Sequence, residues 1–109
     1  MPVASLKELF EEKIPHKIQA KPDVAAKIAA VYQFNVSGPE GGSWFVDLVT
    51  PGGKVGAGTS DHAQCTIAMK DSDLLAMVNG KLSPQMAFMT GKIKIQGDYG
   101  LAMKLQQVL

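Results

Sequence analysis

The apolar positions near the N-terminus follow a helical period. Four apolar residues recur at near-helical spacing: Val3, Leu6, Phe10 and Ile14. This spacing predicts a surface helix with one buried stripe. Ser5 and Glu8 are placed as a capping box at its start, and Pro15 is expected to end it. A second short helix is predicted to begin at Asp23 as its N-cap and to lead into a strand near residue 30.

Beyond residue 30 the period changes to two, which is typical of strands. The first run alternates an apolar face with a polar one: Tyr32, Phe34 and Val36 against Gln33, Asn35 and Ser37. Glycine-rich turns at 38–42 and 51–53 separate it from runs around Val46 and Val55, so the three runs predict an antiparallel meander. A fourth strand is predicted over 63–69, with one apolar face made by Cys65, Ile67 and Met69.

Two helices are predicted after the fourth strand. Asp71 is expected to cap the first, and Gly80 to end it at a C′ position. Its inward stripe is formed by Leu74, Leu75 and Val78. Ser83 and Pro84 are the preferred N-cap and first-turn residues of a short second helix over 85–89.

The C-terminal residues complete the predicted architecture. Ile93 and Ile95 alternate with polar residues as a half-exposed fifth strand, and Asp98 is expected to open a final helix that runs to Leu109. The sequence therefore predicts an α+β domain of five strands and about five helices. Because one face of the sheet is apolar and the other polar, we expect helices on one face only.

Length and charge limit the kind of protein. The 109 residues are enough for one hydrophobic core, so we predict a single domain over residues 1–109. The 11 basic residues are offset by 10 acidic ones, and the net charge is +1. A nucleic-acid-binding protein needs a basic face, so nucleic acid is not expected as a partner.

Cysteine use and hydropathy indicate a cytoplasmic location. Cys65 is the only cysteine, so it has no partner for an intramolecular disulfide, and we interpret it as a small buried apolar residue. The N-terminal residues are amphipathic and acidic, unlike a signal peptide, and no apolar run reaches the roughly 20 residues of a membrane span. Membrane contact is therefore expected to be peripheral and transient.

The residues that enzymes and metal sites need are sparse in this sequence. His16 and His62 lie in predicted loops, and with Cys65 they lack the spacing of a zinc site. The glycine-rich stretch at 38–42 lacks the lysine and the following helix of a phosphate-binding loop, and the stretch at 56–60 leads to Asp61 instead of to the helix N-terminus of a dinucleotide site. We therefore predict that the protein is not an enzyme and binds neither a metal nor a cofactor.

Methionine is concentrated in the second half of the chain. Five of the six methionines fall in predicted elements there: Met69, Met77, Met86, Met89 and Met103. They either fill an irregular core or line a cavity that adapts to apolar ligands of different shapes. Periodicity alone does not separate these two interpretations.

Several segments, in this order and spacing, are together specific for a known family. They are Val31–Val36, Ser43–Leu48, Ala63–Met69, Asn79–Leu82, Ala87–Ile95 and Gly100–Gln106. They resemble the sterol carrier protein 2 family of small lipid-binding domains. The resemblance implies a five-stranded, mostly antiparallel mixed sheet that is covered on one face by helices and encloses an apolar tunnel without catalytic residues.

The resemblance also implies the ligands: fatty acids, fatty acyl-CoA, phospholipids or sterols. We expect the tunnel of this chain to be lined by Phe34, Leu75, Val78, Met86, Phe88, Met89, Leu101, Met103 and Leu105. Lys81, Lys92 and Lys94 are either solvated surface residues or contacts for a CoA phosphate or headgroup at the rim.

Our hypothesis for the cellular role is a non-catalytic intracellular lipid carrier. The alternative is an accessory domain that presents acyl substrates to an enzyme in a larger chain or complex. A third interpretation is a purely structural or dimerising module. Peroxisomal members of the family commonly end in a tripeptide resembling Ser-Lys-Leu, whereas this chain ends in Gln107-Val108-Leu109, which favours the cytoplasm or a module of a longer protein.

Overall fold

The computed structural model describes residues 5–50 and 53–104. The helical elements are α1 (Leu6–Glu8), a π-helical turn (Leu9–Lys13), α2 (Ile14–Ala20), α3 (Pro22–Ile28), α4 (Asp71–Val78), α5 (Pro84–Met89) and α6 (Tyr99–Lys104). The strands are β1 (Val31–Ser37), β2 (Gly42–Asp47), β3 (Lys54–Ala57), β4 (Cys65–Lys70) and β5 (Ile93–Gly97). The predicted positions Val3 and Leu105, and the last helix beyond Lys104, lie outside the described residues.

The first helix does not end at Pro15, contrary to the prediction. Helix α1, the π-helical turn and α2 follow one another without a break, and Pro15 lies at the start of α2. The Ile14 amide donates to the Leu9 carbonyl, five residues back, which is the wider π-helical pattern. Proline lacks the amide that an α-helix needs at this point, and the wide turn relieves the clash of its ring with the preceding turn.

Side-chain caps agree with the prediction at some helix starts and differ at others. The Ser5 hydroxyl accepts from the Glu8 amide at 3.1 Å, as expected. Asp23 and Asp71 lie inside the first turns of α3 and α4 instead of at the N-cap, where Lys21 and Lys70 stand. An acidic side chain in a first turn still favours the helix because it faces the positive end of the helix dipole.

The two Gly-Lys pairs end helices α4 and α5 in the same way. Gly80 has φ of +77°, and its amide donates to Met77 while the Lys81 amide donates to Ala76. Gly91 has φ of +74°, and the amides of Gly91 and Lys92 repeat this pattern at the end of α5. This is the Schellman motif, which requires a left-handed residue at C′ and therefore favours glycine.

The five strands form one mixed sheet in the order β3-β2-β1-β4-β5. The β1–β2–β3 meander is antiparallel, as predicted, and β4 pairs with β5 in the same sense. The central pair β1 and β4 is parallel, with Phe34 opposite Ile67. The architecture expected from the resemblance, a mostly antiparallel five-stranded mixed sheet with helices, is therefore confirmed.

The core lies on the face of β1 that carries Tyr32 and Phe34, which are both fully buried. Phe10 of the π-helical turn contacts Phe34 edge-on, with ring centroids 5.2 Å apart, and stacks on Trp44 at 5.0 Å. These contacts place the N-terminal helix on the apolar face. On the other face a loop covers Gln33, whose amide nitrogen donates to the Gly58 carbonyl at 3.1 Å. The Ser60 amide donates to the Gln33 side-chain oxygen at 2.8 Å.

Candidate functional site

A cavity of about 550 Å³ lies between the apolar face of the sheet and the C-terminal helices. Its wall is formed by Phe34, Ile67, Met77, Pro84, Gln85, Phe88, Met89, Ile93, Ile95, Tyr99, Ala102 and Met103. Within residues 5–50 and 53–104, all of these lining residues except Phe34 come from one segment of the chain, residues 67–103. None of these lining side chains carries a charge at neutral pH, so the wall suits an apolar ligand.

Helix α5 forms one side of the cavity. The Ser83 hydroxyl accepts from the Met86 amide at 3.0 Å, and Pro84 fixes the first turn. Ala87 is fully buried and holds the helix against the core. Phe88 and Met89 line the cavity and are nevertheless 52% and 79% exposed to solvent. The cavity therefore opens to solvent beside α5.

Helix α6 forms the second side of the opening. The Asp98 carboxylate accepts from the Gly100 and Leu101 amides at 2.8 and 3.3 Å, which caps the helix. The Tyr32 hydroxyl donates to the Leu101 carbonyl at 2.6 Å, and the Tyr99 ring meets the Phe88 ring edge-on with centroids 6.0 Å apart. None of the described α6 residues is fully buried. The helix is thus held by a few specific contacts at the edge of the core.

Burial is the main cause of the pKa shifts of Tyr32 and Cys65, which lie in the neighbouring strands β1 and β4. Burial raises the pKa of Tyr32, and the neighbouring Cys65 and Asp98 raise it further. Burial also raises the pKa of the Cys65 thiol, with a smaller effect from Asp98. Both groups are therefore held in their neutral forms at physiological pH. Tyr32 acts here as a hydrogen-bond donor, and Cys65 as a buried apolar residue.

Metal-binding groups of side chains and membrane-spanning helices are both absent from the described part of the chain. Within residues 5–50 and 53–104, no three His, Cys, Asp or Glu side chains are grouped so that they could hold a metal ion. Over the same residues, no helix has the length and apolar character needed to cross a membrane.

Comparison with known families decides how the fold is classified. The model of the SCP-2 sterol transfer family matches residues 6–109. The chain belongs to this family. The sterol carrier protein domain 2 of Helicoverpa armigera is 34% identical and has a TM-score of 0.76, with 89% of this chain and 79% of that chain covered.

Two further relatives differ in the share of their own length that this chain matches. Palmitated SCP2L2 from Aedes aegypti has a TM-score of 0.70 and 30% identity, with 96% of this chain and 94% of that chain covered. Hydroxysteroid dehydrogenase-like protein 2 from Mus musculus is 49% identical over 88 residues. Those residues are 80% of this chain and only 18% of that protein, so the chain spans less than a fifth of this relative's length.

Four of the side chains expected to line the tunnel of this SCP-2 domain do lie in the cavity wall: Phe34, Phe88, Met89 and Met103. Met86 of α5 does not line the cavity, although it is about as exposed as Phe88. Leu75 and Val78 pack partly buried against the core, and Leu101 is half-buried at the Tyr32 contact. Leu105 lies outside the described residues.

Sequence reasoning missed the strand residues of the wall. Ile67 of β4 lies opposite Phe34 in the parallel pair, and Ile95 of β5 lies opposite Ile67. Alternation placed Ile67 and Ile95 on the apolar faces of their own strands. Only the strand order shows that both lie next to Phe34 in one wall. Helix α4 contributes Met77 to the cavity wall, where Leu75 and Val78 were expected.

Proposed function

We propose that this SCP-2 family domain carries a lipid by enclosing its apolar chain in the cavity, without converting it chemically. The observation that supports this is the cavity of about 550 Å³ with an uncharged, mostly aliphatic and thioether wall. Ligand pockets commonly measure about 300–1,000 Å³. Methionine side chains adapt to ligands of different shapes, which suits a carrier that accepts more than one lipid.

Burial of a hydrocarbon chain supplies enough free energy for this role. Each buried methylene contributes about 0.8 kcal/mol, so a chain of about 16 carbons gains on the order of 12 kcal/mol. Association costs about 4 to 15 kcal/mol. We therefore expect roughly micromolar affinity that depends on the chain more than on the headgroup.

The ligand class is the one that the family resemblance implies, and the apolar wall suits the hydrocarbon part of each member. A fatty acid, a fatty acyl-CoA, a phospholipid or a sterol would each place its apolar part inside and its polar part at the opening beside Phe88 and Met103. Among these four ligands, a fatty acid has the most direct support, because the relative from Aedes aegypti is palmitated. The single cysteine, Cys65, supports a reducing compartment such as the cytoplasm.

A second function is favoured by the mouse relative. In that dehydrogenase-like protein the matching region is a small part of a longer chain. Residues 1–109 would then be one lipid-binding unit that presents an acyl substrate to an enzyme domain. This alternative uses the same cavity and differs only in the partner.

Native mass spectrometry of the purified protein, compared with denaturing mass spectrometry, tests the proposal. We expect a lipid mass in the native spectrum that is lost on unfolding, and a fluorescent fatty acid that binds at micromolar concentration. A protein that is free of lipid and also fails to bind the fluorescent fatty acid would contradict carriage and favour a structural module.

A further inference from the structure

A second cavity, separate from the one between the sheet and the C-terminal helices, lies beside the N-terminal helix. Its volume is about 490 Å³, and it is bordered by α1, the β1–β2 turn and the end of β3. The apolar part of its wall is formed by Leu6, Trp44 and Ala57. Lys7 and Glu40 also line it and are exposed, so this cavity is open to solvent. The described walls of the two cavities share no residue.

Three aromatic residues connect the walls of the two cavities. Phe34 lines the first cavity and Trp44 lines the second, and the two are cross-strand partners in β1 and β2. They therefore share the apolar face of the sheet. The Phe10 ring packs against both, with centroids 5.2 Å from Phe34 and 5.0 Å from Trp44. Phe10 is 1% exposed and lines neither cavity. We call Phe34, Phe10 and Trp44 the aromatic partition, because they fill the space between the two cavities.

The partition lies at the closed end of the first cavity. Phe34 is fully buried, whereas Phe88 and Met89 of the same wall are largely exposed at the opening. A lipid that keeps its polar part at the opening would direct the free end of its hydrocarbon chain toward Phe34. The Phe10 ring supports Phe34 from behind, so it limits how far that chain extends into the molecule.

We propose that Phe10 sets the longest hydrocarbon chain that the first cavity accepts, by keeping the second cavity separate from it. Protein cores are closely packed, so a smaller side chain at this position would leave a void where the ring now lies. That void would join the two cavities without changing a lining residue of either. This inference rests on the proposed lipid-carrier function and assigns the residue that determines its chain-length preference.

A series of saturated fatty acids from lauric to behenic acid tests the limit in the unmodified chain. Fluorescence displacement should show affinity rising about fourfold for each added methylene while the chain still gains buried length. The rise should stop once the chain reaches the partition. A rise that continues to behenic acid would refute the assignment of Phe10 and leave the carrier function standing. Failure to bind any of these fatty acids would refute the carrier function and this inference with it.

Matched variants test the partition itself. Phe10→Leu keeps the position apolar and removes the ring, so affinity should continue to rise about fourfold per methylene beyond the original limit. Ile14→Val trims another fully buried side chain of the N-terminal helices and should leave the limit unchanged. Ala57→Phe fills the second cavity at the residue opposite Trp44, and combined with Phe10→Leu it should restore the original limit. An unchanged limit in folded Phe10→Leu, or an extended limit in the double variant, would overturn the proposal.

Trp44 is the single tryptophan and reports where the hydrocarbon chain ends. A fatty acid brominated at its last carbon quenches the fluorescence of an indole that it contacts. We expect weak quenching of Trp44 in the unmodified chain and strong quenching in Phe10→Leu with a fatty acid longer than the original limit. Strong quenching in the unmodified chain would show that the hydrocarbon already passes the partition. This measurement therefore refutes the proposal even where Phe10→Leu fails to fold, which thermal unfolding would reveal.

Discussion

The Tyr32 hydroxyl donates a 2.6 Å hydrogen bond to the Leu101 carbonyl and so joins the central strand β1 to helix α6. The two residues are 69 positions apart in the sequence. Leu101 and Ala102 of α6 also pack against the core, although none of the described α6 residues is fully buried. The bond is therefore a specific link between the sheet and α6, and we expect the cavity opening beside α6 to respond to its loss.

Tyr32→Phe should loosen α6 while leaving the rest of the domain folded. The change removes one hydrogen bond and leaves the Leu101 carbonyl without this partner, which costs about 1 kcal/mol. We expect faster hydrogen exchange in residues 100–104 and faster release of a bound fatty acid. Tyr99→Phe on the same helix removes the hydroxyl of a residue that is 56% exposed, and it is the matched control. Unchanged exchange in α6 of the Tyr32 variant would contradict this assignment.

Phe88→Asp should weaken fatty-acid binding at least about tenfold, because a carboxylate in an apolar wall must lose hydration when the chain enters. Met103→Glu should act in the same direction from the opposite side of the opening. Met86→Asp places the same charge on α5 at a residue that does not line the cavity, so it should leave affinity close to that of the unmodified chain. Fluorescence displacement gives the affinities, and thermal unfolding identifies any variant that has lost its fold.

The Cys65 thiol should react slowly with a thiol reagent in the folded protein. It is fully buried in β4, and burial raises its pKa, so both access and the thiolate fraction are low. We expect the rate of labelling to follow global unfolding as urea is added. Rapid, complete labelling in the absence of urea would show that β4 opens locally.

Asp47 should contribute to stability at neutral pH and lose that contribution in acid. Burial alone would raise the pKa of Asp47, but hydrogen bonds from Thr50 and Val49, with Lys54 nearby, hold it below its ordinary value. The folded state therefore binds fewer protons than the unfolded state, so stability falls as the pH drops through and below about 4.

Urea unfolding of Asp47→Ala measures this effect. At neutral pH the variant should be less stable by about 1 kcal/mol, because the turn after β2 loses its acceptor. The difference from the unmodified chain should shrink as the pH falls. Asp61→Ala removes the same charge from an exposed turn and controls for net charge. A difference that does not change with pH would contradict the role assigned to the carboxylate.

The strands and most helix ends could be predicted from local patterns. The alternation at Tyr32, Phe34 and Val36 identified the buried face of β1 because the strand period is two and one face is covered. Gly80 identified the end of α4 because a left-handed C′ position favours glycine. These features depend on residues close in sequence, so the sequence displays them directly.

The composition of the cavity wall could be predicted only in part. Ile67 and Ile95 joined Phe34 through the β1–β4 and β4–β5 pairings, and which strands pair depends on contacts distant in sequence. In the six residues of α5 no period is long enough to show that Ala87 faces inward and Met86 outward. Pro15 misled because the π-helical turn before it accommodates the proline ring, so the helix continues where proline usually ends it.

The division of the cavity wall along the chain has a consequence for how binding preference diversifies. Among the described residues, one continuous stretch, residues 67–103, supplies every lining residue except Phe34. The N-terminal helices and the β1–β2–β3 meander therefore serve mainly as a platform. Under the proposed lipid-carrier function, an exchange of this stretch between family members should transfer ligand preference with it. Phe34 is then the one described residue of the remaining domain that the incoming wall must fit.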